Sequence, residues 1–421
     1  MRTLVLAGES PVPPRFGLRL RVLHLTRELA RSASVDVAVW GDAPSGAKEP
    51  FTLTGLDWGW GRPRHEWGRM LWQPWEVAIP RGRPLERHVA QGRWDTVIAH
   101  TLPLLRPARR ANAPVILDAH NLMTEVMRTL ASIDSRRAHR CFWRWEALKT
   151  RAFEQRIVRR VDAICVTSER EAETVESWGA RWPVVVPNGV DVNAITYAAP
   201  LPGARLLYVG HYGWRPNVEA ALELIDSIMP RVRAVIPQAR LSLVGGGPPA
   251  ELAARVTPGV QLTGEVEDAL PHLHESRVLV VPVRCGGGTR LKVLEALAAG
   301  IPVVATPFAV GGLGLEPGKH VLTAEAPSEI AQLAARVVRD DALALRLSVE
   351  GRALVQRRYD WSVVARPLVE VNERLGHRVN ERLGHQCFGR PPQPPAVEVE
   401  AELVPPVVRE VGDSQDGHRL Q

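Results

Sequence analysis

The chain has 421 residues, 45% of them hydrophobic and 24% charged. That length exceeds what one hydrophobic core supports, and the composition leaves ample apolar surface to bury, so global disorder is excluded and two domains are expected. The net charge of +7 is mostly arginine, since only Lys48, Lys149, Lys292 and Lys319 are lysine. Its sign alone does not choose between nucleic acid, an anionic membrane and a solvated surface.

Cys141, Cys165, Cys285 and Cys387 stand far apart, with no Cys-x-x-Cys pair and no histidine at metal-ligand spacing, which argues against a zinc site or a disulfide framework. The apolar start, Met1 to Gly8, is too short for a signal peptide or a membrane span, so a cytoplasmic location is expected.

Along the chain, short β-branched runs alternate with amphipathic stretches. Thr3–Leu6, Val35–Val39, Thr96–Ala99, Val115–Leu117, Ala163–Thr167 and Val184–Val186 read as strands, with helices over Arg19–Arg31 and Arg140–Arg160. Pro187, Asn188 and Gly189 turn the chain into a linker that runs to about Pro202. A second series follows, with strands at Leu206–Val209, Leu241–Val244, Val260–Thr263, Val278–Val283 and Ile301–Ala305, and helices from Val218, Leu291 and Ser328. Such alternation implies parallel sheets covered by helices on both faces, hence an α/β fold of two doubly wound domains, residues 1–195 and 203–365. Residues 366–385 read as helical and include VNERLGHR (Val371–Arg378), followed at once by VNERLGHQ (Val379–Gln386). Eight residues match no solenoid period, so this reads as a local duplication. Residues 386–421 are rich in proline and glutamate and are expected to be disordered.

In open parallel sheets ligands bind beyond the carboxyl ends of strands, and helix N-termini hold anions. VPVRCGGGTRLKVLEALAAG (Val281–Gly300) suits both. A strand ends near Val283, Gly286, Gly287 and Gly288 permit close backbone approach, and a helix begins around Thr289 or Arg290. Arg290 and Lys292 in its first turn oppose the helix dipole unless an anion sits there, and a diphosphate would account for both. Glu295 lies one turn on, where a carboxylate accepts from the vicinal hydroxyls of a ribose; the competing reading is a surface ion pair with Lys292.

The same stretch resembles the donor-site signature of the retaining GT-B glycosyltransferases of family 4. VPNGVD (Val186–Asp191), LSLVGGGP (Leu241–Pro248) and LTGEVED (Leu262–Asp268) fit that family in order, and the resemblance covers about residues 1–375. It implies two Rossmann-like domains facing a cleft, the first for the acceptor and the second for the donor, with a C-terminal helix crossing back to the first. It also implies a nucleotide-diphosphate sugar donor, a glycan or lipid-linked acceptor and no obligatory cofactor or metal; no Asp-x-Asp motif is found.

By this resemblance Glu295 holds the donor ribose, while Gly287 stands where the family's first glutamate would be. The branch with Gly287, Gly288, Thr289, Arg290 and Lys292 then grips the pyrophosphate. His211 and Pro216 occupy the places of two usual phosphate cations, and Val266 falls where the nucleobase is read. The amide of Gly17 is expected on the donor phosphates. His120, in ILDAHNLMTE, is expected to orient the donor sugar as the catalytic histidine, with Arg21 and His100 on the acceptor side.

Two further segments bear on the acceptor. Trp58, Trp60, Trp67, Trp72 and Trp75 suit sugar stacking, a lipid interface or plain packing. The arginine-rich stretch Arg136–Arg160, interleaved with Phe142, Trp143 and Trp145, suits either an anionic membrane or a solvated face. The expected function is a hexosyltransferase-type enzyme of surface-polysaccharide or glycolipid synthesis at the inner face of the plasma membrane. The alternatives are a sugar-nucleotide epimerase and a catalytically silent nucleotide-sugar-binding scaffold. Nucleic acid is not an expected partner, because a basic groove with stacked aromatics is missing.

Overall fold

Strand-forming runs that are apolar from end to end need cover on both faces, and the chain supplies it twice. The computed structural model describes residues 1–14, 17–44, 48–56, 74, 83–134, 136–285 and 291–387. The chain divides into a unit Met1–Asn380, which holds both sheets, and a unit Glu381–Gln421.

The first sheet has seven parallel strands: β1 (Arg2–Ala7), β2 (Ser34–Trp40), β3 (Thr52–Leu56), β4 (Thr96–His100), β5 (Val115–Asp118), β6 (Ala163–Val166) and β7 (Pro183–Val185), in the order β3-β2-β1-β4-β5-β6-β7. The second has six: β8 (Arg205–Val209), β9 (Arg240–Val244), β10 (Val260–Leu262), β11 (Val278–Val281), β12 (Val303–Ala305) and β13 (Leu322–Thr323), in the order β10-β9-β8-β11-β12-β13. Every residue of β4, β5, β6 and β11 is buried, as central strands of a parallel sheet should be, and β4 and β5 each end their apolar run in a buried polar residue, His100 and Asp118. The sequence reading missed β3 and β13. β3 (TLTGL) is a half-exposed edge strand with a glycine, and β13 has only two residues.

In both sheets the strand order reverses at one place, between β1 and β4 and between β8 and β11. A crevice opens where neighbouring connections leave in opposite directions, so these two points are where an α/β protein binds ligands.

The chain returns from the second sheet to the first. Val190 pairs with Asp360, and the His24 ring stacks on Trp361 with centroids 5.2 Å apart and planes 3° from parallel. A Cβ at Gly189 would lie 2.8 Å from the Trp361 ring, so only glycine lets the VPNGVD segment close on it. Asn372, on the helix Arg366–Cys387, accepts from Thr96 Oγ1 at 2.6 Å and donates to Thr3 Oγ1 at 3.1 Å, all three side chains being buried. The last helix thus lies against β1 and β4. The first copy of the duplicated octapeptide supplies this contact through Val371, Asn372 and Leu375, all buried. Of the tail expected over residues 386–421, Gln386 and Cys387 end the helix Arg366–Cys387; the rest, and the tryptophans Trp58, Trp60, Trp67, Trp72 and Trp75, lie outside the described residues.

Candidate functional site

At the switch point of the second sheet, the chain leaves β8 through Gly210. Lys292, in the first turn of the helix Leu291–Ala299 that follows β11, reaches across to this turn. Its ammonium donates to Tyr208 Oη and to Asn217 Oδ1, each at 3.0 Å, and sits 4.1 Å from the Tyr208 ring centroid. A Cβ at Gly210 would be 3.0 Å from Lys292 Nζ, and one at Gly245 only 2.0 Å from the Gly210 carbonyl oxygen. Both glycines keep the strand ends bare enough for the cation to approach the backbone. The turn that holds His211 and Pro216 thus receives a lysine from another helix.

His211 is exposed, and its Nδ1 accepts the Gly213 amide at 3.1 Å, so in the neutral ring Nε2 carries the hydrogen. Glu295 lies one turn beyond Lys292. Burial raises its pKa, Lys292 opposes that, and Asp268 adds to it, which places the LTGEVED loop within electrostatic reach of Glu295. Val266, in that loop, is half-buried and packs on the core. Gly287, Gly288, Thr289 and Arg290 lie outside the described residues.

The switch point of the first sheet faces this region. Gly17 opens the helix Gly17–Leu29, and a Cβ on it would meet Leu291 Cδ1 at 2.8 Å. The N-terminus of the first-domain helix thus abuts the start of the helix that bears Lys292.

Beside it, at the carboxyl ends of β4 and β5, four charged or titratable side chains converge. Arg21 grips Asp118 with two hydrogen bonds, Nε to Oδ2 at 2.9 Å and Nη2 to Oδ1 at 2.6 Å, and its Nη1 donates to Pro187 O and Asn188 Oδ1. Asp118 Oδ2 is also 2.8 Å from His100 Nδ1 and 3.3 Å from His120 Nε2. Burial pushes the Asp118 carboxyl up, but Arg21, His120 and His100 overcome it and hold it well below the usual carboxylate range. Burial drives His120 down to about 3 against the pull of Asp118, with Arg21 and His100 adding to the fall, so the ring is neutral at pH 7.

Two expectations need correction. Arg21 and His100, assigned to the acceptor side, are each only 1% exposed and turned inward onto Asp118. A buried carboxylate needs paired donors, and these two supply them. Asp118 itself was not singled out; the available signal was a carboxylate closing the otherwise apolar strand of ILDAHN. Ligand atoms of His100, Asp118 and His120 lie within 4.8 Å of one another, the donor set of a metal site. Arg21 occupies both oxygens of Asp118, however, so a second cation there meets a fixed positive charge, and the cluster does not fit a metal.

Three residues past His120 begins the helix Met123–Ile133. Its first amides are capped by Glu154, which accepts from Met123 N at 2.7 Å, Thr124 N at 3.2 Å and Thr124 Oγ1 at 2.5 Å. Glu154 belongs to the helix Arg137–Val158, which exposes Phe142 (47%), Trp145 (50%) and Leu148 (64%). Between the two helices runs a groove of about 380 Å³ bordered by Arg128, Arg144 and Arg151 over Ala131, Ala147 and Leu148. Glu146 is buried and pairs with Lys149, and Arg128 at the groove pairs with Glu125 at 2.7 Å. No helix among the described residues is long and apolar enough to cross a membrane.

Known proteins place this geometry in context. A family model described as "Glycosyltransferase Family 4" matches residues 17–194, and one described as "Glycosyl transferases group 1" matches residues 203–340. The chain is 33% identical over 208 residues to a phosphatidyl-myo-inositol mannosyltransferase of Mycobacterium tuberculosis, covering 46% of this chain and 54% of that one. The counterpart from Mycobacterium leprae is 28% identical over 204 residues, with the same coverage. The chain thus spans about half the length of the curated relatives it matches. Among solved structures, the sucrose-phosphate synthase of Thermosynechococcus elongatus superposes with a TM-score of 0.68 at 20% identity, over 91% of this chain and 99% of that one. Anabaena Alr3699/HepE in complex with UDP-glucose gives 0.61 at 15% identity, over 90% and 100%.

Proposed function

Because the chain belongs to the family 4, group 1 glycosyltransferases and has their GT-B fold, we propose that it transfers a sugar from a nucleotide-diphosphate donor to a glycan or lipid-linked acceptor. The observation that carries this reading is the meeting of the two switch points, with Gly17 against Leu291 and Lys292 drawn over Gly210. An anion held there lies between a helix N-terminus and an ammonium, the electrostatics a departing diphosphate requires. As the bond to the anomeric carbon loosens, negative charge gathers on the phosphate oxygens, and fixed donors stabilise that charge without reorganising. Lys292 and the Gly17 amide serve the diphosphate, Glu295 the ribose and the Val266 loop the base. Thr289, Arg290 and the amides of Gly287 and Gly288 complete the phosphate site, and His211 borders it. His120 orients the sugar. The chemistry is retaining and needs no metal.

The acceptor side is read from the exposed face of the helix Arg137–Val158. Phe142, Trp145 and Leu148 beside Arg144 and Arg151 match the boundary of an anionic bilayer, where apolar rings enter the acyl edge and guanidinium groups meet phosphates. Peripheral attachment at the inner face of the cytoplasmic membrane, in surface-polysaccharide or glycolipid synthesis, follows from this reading. The named activity of the mycobacterial relatives, on a phosphatidyl-inositol lipid, makes a phosphate-bearing lipid the first acceptor to try.

The test is calorimetry with UDP-, GDP- and ADP-sugars, followed by turnover on acceptor lipids in anionic vesicles. Lys292→Met should weaken binding of the preferred nucleotide about 10- to 100-fold, equal to the loss of one buried charged hydrogen-bonding group. His120→Ala should leave that binding within about twofold and lower kcat about 100-fold or more. Unchanged nucleotide affinity in Lys292→Met refutes the phosphate role. Tight nucleotide-sugar binding with no transfer to any acceptor favours the scaffold, and consumption of the donor without acceptor favours the epimerase.

A further inference from the structure

We propose that His100 is a positioning residue that fixes the tautomer of His120, so that His120 meets the substrate as a hydrogen-bond donor through Nδ1. The two rings share a hydrogen bond of 3.0 Å between His100 Nδ1 and His120 Nε2, set edge to face at 77°. Such a bond needs one nitrogen protonated and the other bare. Two independent features place the hydrogen on His100.

The first is Asp118 Oδ2, which stands 2.8 Å from His100 Nδ1 and 3.3 Å from His120 Nε2. A bare lone pair 2.8 Å from a carboxylate oxygen is repelled more strongly than one at 3.3 Å, so the nearer nitrogen carries the hydrogen. Arg21 keeps Asp118 ionised through two hydrogen bonds, which makes this repulsion permanent. The second is the far side of the His100 ring. Nε2 is buried with no hydrogen-bond partner among the described residues, and an orphaned N–H is rarer in folded proteins than an unfilled acceptor, so that nitrogen is the bare one.

The single Nδ1–H of His100 lies between Asp118 Oδ2 at 2.8 Å and His120 Nε2 at 3.0 Å and is shared by the two, so His120 Nε2 accepts. A neutral His120 then has its only hydrogen on Nδ1, the tautomer less favoured in free imidazole. Among the described residues no hydrogen bond to His120 Nδ1 is found, and the side chain keeps 10% exposure, so that N–H is the group left for a ligand. His120 cannot draw a proton from an acceptor hydroxyl through a nitrogen that already carries one. It can hold a sugar hydroxyl oxygen as a donor, in line with a mechanism that stabilises the leaving group rather than activating the nucleophile. The chain Arg21, Asp118, His100, His120 therefore converts a fixed charge in the core into a defined N–H at the cleft.

The tautomer is independent of the proposed function; only its effect on turnover rests on that reading. The experiment is long-range 1H–15N NMR on the full-length chain labelled with 15N-histidine, with the His120 signals assigned by their loss in His120→Gln. The wild type should show the Nδ1–H pattern for His120 at pH 7. His100→Phe, which keeps a buried ring but donates nothing, should move His120 to Nε2–H; His100→Asn, whose amide can replace the Nδ1 donor, should restore the Nδ1–H form. In the transfer assay His100→Phe should lose at least about tenfold in kcat with donor KM unchanged, and His100→Asn should recover most of it. An Nε2–H or doubly protonated His120 in the wild type overturns the assignment even if His100→Phe does not fold. A His120 that stays Nδ1–H in folded His100→Phe overturns the role of His100.

Discussion

Replacing Arg21 by methionine is the sharpest test of the buried charge network. The guanidinium is 1% exposed and its partner Asp118 fully buried, so nothing can replace the two hydrogen bonds it makes to the carboxylate. Breaking a buried pair from one side costs about 3–5 kcal/mol because a charge is stranded. The carboxyl has an escape, since it can bind a proton. From its ordinary value of 3.8, protonation at pH 7 costs about 4 kcal/mol, at 1.36 kcal/mol per unit, but at pH 5 only about 1.6 kcal/mol.

In the wild type Asp118 is ionised at both pH values, because its folded pKa is depressed, and it adds no slope between them. In Arg21→Met its folded pKa lies above the unfolded one, so stability falls as pH rises toward that value. The destabilisation measured by urea unfolding, followed by tryptophan fluorescence, should therefore shrink by up to about 2.7 kcal/mol between pH 7 and pH 5, two units at 1.36. The double variant Arg21→Met/Asp118→Asn should be less destabilised at pH 7 than the sum of its parts, since the stranded charge is gone. Equal losses at the two pH values, with strict additivity, would refute the claim that Arg21 serves to hold Asp118 ionised.

Other consequences are open to measurement. Gly189→Ala should lower stability by about 1–3 kcal/mol, because its Cβ meets Trp361 at 2.8 Å and Val364 at 2.9 Å; an unchanged Tm would mean that the joint has slack. Burial raises Glu154 to about 7 despite its bonds from Thr124 and Met123, with Glu171 adding to the rise. The folded chain then holds the extra proton, so stability should fall as pH climbs from about 4.5 to 7, by at most about 3 kcal/mol, and Glu154→Gln should lack that slope. Asn372→Leu should destabilise the chain by about 1–3 kcal/mol through the partners it leaves on Thr3 and Thr96, and a neutral effect would show those two hydroxyls satisfying each other.

Much of the architecture was legible in the sequence because burial on two faces writes itself as unbroken apolar runs. β1, β4, β5 and β11 were each recognisable within a residue or two, and the restart after Gly189 announced a second sheet. Lys292 stood out as a scarce cation behind three glycines, and the structure sets its ammonium on Tyr208 Oη and Asn217 Oδ1. What stayed hidden depended on distance in the chain. Arg21 and Asp118 are 97 positions apart, and Lys292 and Asn217 are 75 apart, so no local pattern could pair them. Periodicity put Arg21 on a helix without saying which way it faced; the tertiary structure turned it inward, because a carboxylate sealed at the end of β5 has to be met by charge. In the same way His100 and His120 looked like two separate cleft residues, and only the parallel register of β4 beside β5, with His100 opposite Asp118, brought them onto one proton.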